Sequence, residues 1–247
     1  MLLAILTLHV AAGLYLFLPL IGRSSAGVKF YRLILIINAV FVAVAIAAHL
    51  NARQQRLAEL DAVPLIFTAI VYFVLRYPKR LVFRASAALL GVAHVVAAVL
   101  AFDAGVRPSN IVWSIIGSLS SMALLGSVTL AMLLGHWYLV VRGMPIEPLK
   151  RMALATLAAG LGKVAVVFAA ILIGGVWHEV AVRQGIFFWM RAGWGLVGPL
   201  ALFPMVWGTV KIRSTMAATG ILYVDVVAVV IGEVLGAWLS ALVHLPV

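Results

Sequence analysis

Apolar runs of about 20 residues recur from one end of this chain to the other. Each is long enough, as a helix, to cross ~30 Å of hydrocarbon. Backbone inside lipid must satisfy its own N–H and C=O groups, so such runs fold as helices. The chain is 66% hydrophobic and 10% charged, with a mean hydropathy of +1.20. The polar stretches between runs leave no room for a separate soluble domain. The sequence predicts an all-α polytopic membrane protein, with residues 1–247 forming a single integral-membrane helical domain. Eight spans are predicted, near 1–21, 31–50, 62–77, 84–102, 110–141, 153–180, 185–210 and 217–243.

The first run starts at Met1 with no basic residue ahead of it and no clean small-x-small cleavage site. It reads as a retained helix rather than a signal peptide. The fifth run is long for a perpendicular span, and Gly117-Ser118-Leu119-Ser120-Ser121 marks a kink, a tilt or an interfacial lead-in. Gly193, Gly195, Pro199 and Pro204 interrupt the seventh, where neighbouring helices would satisfy the freed backbone groups. Gly220 and Gly232 in the eighth read as packing positions.

Basic residues alternate between the two sides. Arg23, Lys29 and Arg32, then Arg76, Lys79, Arg80 and Arg84, then Arg142, Lys150 and Arg151, then Lys211 and Arg213 fall on one side. Only Arg53, Arg56, Arg107 and Arg183 fall on the other. The positive-inside rule places both termini on the non-cytoplasmic side, and an even number of spans agrees. A bacterial or archaeal cytoplasmic membrane is the expected location. The net charge of +11 is that of headgroup-facing span ends, not of a nucleic-acid surface.

Cysteine is absent. Thiolate-held iron–sulfur clusters and covalent c-type haem are therefore excluded in this chain, while b-type haem is not. There is no phosphate-binding glycine loop, dinucleotide fingerprint, nucleophile elbow or H-E-x-x-H zinc motif. No D-x-x-D pair supports magnesium-dependent transfer chemistry. Trp177-His178-Glu179 is too small a fragment for zinc, which needs about three protein ligands. No internal repeat of the inverted-transporter kind is evident.

Four charges sit inside apolar runs: Lys163, Arg191, Asp225 and Glu233. Charges at bilayer depth are costly, and they are normally paired or line a functional cavity. With a rise of about 1.5 Å per residue, Lys163 falls roughly 15 Å and Asp225 roughly 12 Å from the inner surface. Arg191 and Glu233 share a level nearer the outer surface. The expected pairs are Lys163–Asp225 and Arg191–Glu233. They serve either as buried ion pairs holding the last three spans together or as a proton path.

His9 and His94 have compatible depths for the two axial ligands of a haem b, and His49 and His178 form a second candidate pair near the outer ends. Nearby small residues (Ala11, Ala12 and Gly13; Gly91 and Ala93; Gly174 and Gly175) would admit a flat macrocycle. The alternative for each histidine is a hydrogen bond to a neighbouring helix. His136, Trp137, Tyr138 and Arg142 lie near the inner interface. They suit a quinone or lipid headgroup, although Trp and Tyr there also form the usual aromatic belt.

These features point to a membrane subunit of an electron-transfer complex of respiratory type. It would interact with quinone and with haem b, and carry protons on its intramembrane charges beside other subunits in the bilayer. The alternatives are a proton-coupled transporter or channel, and a structural anchor subunit in which the charges serve assembly alone.

Overall fold

The computed structural model describes residues 1–75, 80–141 and 143–247, with backbone alone for 80–85. Nine α-helices are present among the described residues: α1 (Leu2–Phe17), α2 (Arg23–Asn51), α3 (Gln55–Val74), α4 (Arg80–Val106), α5 (Ile111–Val140), α6 (Glu147–Gly174), α7 (Gly185–Met190), α8 (Gly198–Lys211) and α9 (Thr215–Val243). A short 3-10 turn, Leu18–Leu20, extends α1. Eight segments are long and apolar enough to cross a membrane, with α7 and α8 contributing to one of them, Gly185–Lys211. The fold is an all-α bundle of the polytopic membrane type.

The element boundaries follow local chemistry. Asn110 caps α5, its side chain accepting from the Trp113 N–H at 3.1 Å and so satisfying one orphan donor of the first turn. Pro148 stands in the first turn of α6, where no N–H is needed. α6 ends at Gly175, whose φ of 62° is the left-handed conformation that a helix stop favours. α5 runs unbroken from 111 to 140. Its serine-rich stretch makes no kink, and a helix of about 45 Å in ~30 Å of hydrocarbon calls for tilt.

α5 lies at the centre, packing on α1, α4, α6 and α9. α1 also packs on α2 and α4, and α3 joins α2 to α4. On the other flank, α8 packs against α6 and α9. The α1–α5 crossing is set by two glycines. A Cβ at Gly13 would fall 2.1 Å from the Met122 carbonyl oxygen, and one at Gly126 would fall 2.1 Å from the Gly13 carbonyl carbon. Small residues that let backbones touch drive helix association where lipid offers no hydrophobic gain. Gly13 therefore serves α5, not a macrocycle. A Cβ at Gly220, by contrast, would meet nothing within 4 Å, so no close helix approach requires that glycine.

A polar knot ties α1, α2 and α4. Asn38 on α2 donates to the Ala11 carbonyl of α1 at 2.7 Å. His94 of α4 reaches the Asn38 Oδ1 with Nε2 at 2.6 Å and the Leu90 carbonyl with Nδ1 at 2.9 Å. Its ring stacks on Tyr15, 5.9 Å away.

Replacing Gly126 with valine forces α1 and α5 apart. We expect loss of the monodisperse peak in size-exclusion chromatography, or a melting temperature several degrees lower. Overpacking of this kind costs about 1–3 kcal/mol and more when backbone is the obstacle.

Candidate functional site

The deepest polar feature is a three-charge centre contributed by α6, the segment after α7, and α9. Arg191 Nη2 lies 2.8 Å from Glu233 Oε1, and Lys163 Nζ lies 3.5 Å from Glu233 Oε2. One carboxylate thus stands between two cations, one on each oxygen. Lys163 also donates to the Ser121 hydroxyl of α5 at 2.7 Å, with the Ser120 hydroxyl at 3.4 Å. All three charged side chains are buried, and Arg191 is the largest fully buried side chain among the described residues. Two cations on one anion leave the centre with one excess positive charge.

Glycines make the space for the guanidinium. A Cβ at Gly236 would lie 2.6 Å from Arg191 Nε, and one at Gly195 would lie 2.8 Å from Nη1. Gly195 and Gly232 also bring the two backbones into contact, a Cβ on Gly232 falling 2.2 Å from the Gly195 Cα. Residues Arg191–Val197 wind as a π-helix, with the Gly198 N–H bonded to the Gly193 carbonyl five residues back. Pro199 removes the N–H that the Gly195 carbonyl would otherwise meet, which accounts for the widened turn. Such π stretches recur at functional sites.

His9 joins this centre from α1. Its side chain lines a cavity of about 10 Å³ together with Lys163, Glu233 and Ser121, room for about one water molecule. His9 Nε2 has no hydrogen-bond partner among the described residues, and neither do Arg191 Nε and Nη1. Its ring lies 5.8 Å from Phe102.

The expected Lys163–Asp225 pair is not formed, and the reason is helix length. α6 begins at Glu147, six residues before the predicted start. Lys163 therefore lies about 24 Å along its helix from the inner end, not 15 Å. Glu233 lies about 27 Å and Asp225 about 15 Å along α9, so Lys163 meets Glu233. Asp225 is buried without an ion pair or hydrogen bond among the described residues, its Oδ1 unpartnered.

The histidine pairs separate. His94 has both ring nitrogens engaged in the Asn38 knot, so an axial role there requires those bonds to break. His49, on α2, is buried with Nδ1 2.7 Å from Asp61 Oδ2 of α3. The predicted span of 62–77 leaves Asp61 just outside it, so hydropathy alone does not pair it with His49. His49 Nε2 is unbonded. His178 is exposed in the segment His178–Arg183, which packs on α7 and α9, away from α2. Among the described residues no three His, Asp or Glu side chains gather as a metal site.

At the inner end His136 is exposed, its Nδ1 3.4 Å from the Tyr223 hydroxyl of α9. Trp137 turns inward, donating to the Ala26 carbonyl at 3.2 Å and packing on Phe30. Tyr138 donates to the Pro145 carbonyl. Both aromatics thus hold the bundle rather than flank His136. Arg142 lies outside the described residues.

No protein-family model, curated protein or solved structure matches the chain.

Charge counting orders the effects of mutation. Glu233→Gln leaves two cations buried without a counter-charge, which costs about 3–5 kcal/mol. Lys163→Met leaves a neutral Arg191–Glu233 pair and is expected to be nearly silent for assembly. Thermal denaturation in detergent should show this asymmetry.

Proposed function

We propose that the protein is a membrane subunit that transfers protons through the centre around Glu233, within a quinone-linked electron-transfer complex. The observation that carries this reading is the convergence of His9, Lys163 and Glu233 from three helices onto one small cavity, with Arg191 paired to Glu233. Intramembrane ionisable groups of this kind mark proton relays. Arg191 and Glu233 form a fixed neutral pair. Lys163 then carries the proton in excess, and His9 Nε2, free of other bonds, is its acceptor across the cavity. Ser121 holds the ammonium in place.

The quinone part of the proposal is supported by the exposed His136–Tyr223 pair. A hydrogen-bonding pair facing the bilayer is a ready partner for a carbonyl oxygen arriving from lipid. Haem b enters the proposal through His49, whose Nε2 atom is unbonded. A second reading, a proton-coupled transporter, is favoured by the π-wound stretch and the prolines of the seventh span, since broken helices line transporter sites.

Purified protein in liposomes, driven by an imposed potential and followed with an internal pH dye, tests the relay. We expect Lys163→Met and His9→Phe each to lower proton flux at least tenfold while the protein stays folded. Unchanged flux in both would remove the reading. A soluble quinone analogue should quench tryptophan fluorescence in wild-type protein and not in His136→Ala, and reduced-minus-oxidised visible spectra report whether haem b is bound.

A further inference from the structure

A second polar site lies about 12 Å nearer the inner surface along α9 than Glu233. Asp225 points from α9 toward α6 and α8, and with Ala153, Thr156, Leu157, Pro199 and Phe203 it lines a cavity of about 10 Å³. The residue is 2% exposed, and it has neither ion pair nor hydrogen bond among the described residues. The cavity walls carry no charge. Their one other polar side chain, Thr156, spends its hydroxyl proton on the Met152 carbonyl at 3.1 Å. Tyr223, two residues away on α9, pairs with His136 instead. Lys163 and Arg191 are committed to Glu233.

A lone carboxylate in such surroundings is too costly to keep, so something must neutralise it. A metal cation needs several oxygen ligands, and the cavity offers one unengaged carboxyl. A hydrogen ion needs only that carboxyl. We propose that Asp225 is a proton-binding carboxyl of the inner leaflet, loading and releasing one proton independently of the Glu233 centre. Its nearest basic neighbours along the chain are Lys211 and Arg213 at the inner end of α8, both exposed. The two carboxyls of α9 are thus different in kind. Glu233 is held as an anion by two cations, whereas Asp225 is neutral when loaded.

That difference is directly readable. Dicyclohexylcarbodiimide partitions into lipid and reacts only with a carboxyl that still carries its proton. The carboxyl proton passes to a carbodiimide nitrogen, the carboxyl oxygen bonds to the central carbon, and rearrangement gives a stable N-acylurea. The full chain in lipid vesicles should form one adduct per molecule, mapped by mass spectrometry to Asp225, absent in Asp225→Asn and slower as pH rises. Glu233 in the same molecule should label at least tenfold more slowly. No adduct at Asp225, or equal labelling of Glu233, would overturn the proposal. Protection by sodium at fixed pH would also overturn it, in favour of a metal cation. These outcomes do not depend on the Lys163 relay, so either idea can fail without the other.

Discussion

A carboxylate held between two cations at bilayer depth is the interaction on which the rest of this structure turns. Moving three charges out of water is costly, and only close pairing recovers the loss. Glu233 has an ammonium on one oxygen and a guanidinium on the other. That demand holds Arg191 against α9, with Lys163 of α6 at the same depth. It also explains the glycines at 195, 232 and 236, since a buried guanidinium and two touching backbones leave no room for Cβ atoms. The π-wound turn at 191–197 follows from Pro199 and carries Arg191 and Gly195 to the same neighbour.

The two halves of the bundle solve their polar problems differently. In the first four helices Asn38 and His94 bridge α1, α2 and α4, and the His49–Asp61 pair joins α2 to α3. In the last spans two cations share one carboxylate. α1 and α5 belong to both halves. α1 meets the Asn38–His94 knot through Ala11 and the three-charge centre through His9. α5 reaches the same centre through Ser121. The Gly13–Gly126 crossing binds these two helices and so holds both networks in one bundle.

Much of the fold was legible because span length and hydropathy depend on the bilayer alone. All eight spans were anticipated, with ends shifted by up to eight residues. Those shifts decided the site. Placing the start of the sixth span at 153 rather than 147 put Lys163 beside Asp225, when its partner is Glu233. Depth did carry a usable signal for His9, which lies about 10 Å along α1, near the level assigned to Arg191. His94, at a compatible depth, is instead bound into the Asn38 knot. Rotation about each helix axis was not legible. It separates His136 from the inward-turned Trp137 and Tyr138, and it depends on glycine contacts between helices far apart in sequence.

The most direct test is a pair of double-mutant cycles on purified protein, reading unfolding free energy for Lys163→Met with Glu233→Gln and for Lys163→Met with Asp225→Asn. Contacting residues couple by about 0.5–3 kcal/mol, whereas distant ones add within about 0.5 kcal/mol. The structure predicts strong coupling between positions 163 and 233, with the double variant more stable than Glu233→Gln alone, and none between 163 and 225. Coupling of Lys163 to Asp225 with none to Glu233 would contradict the account.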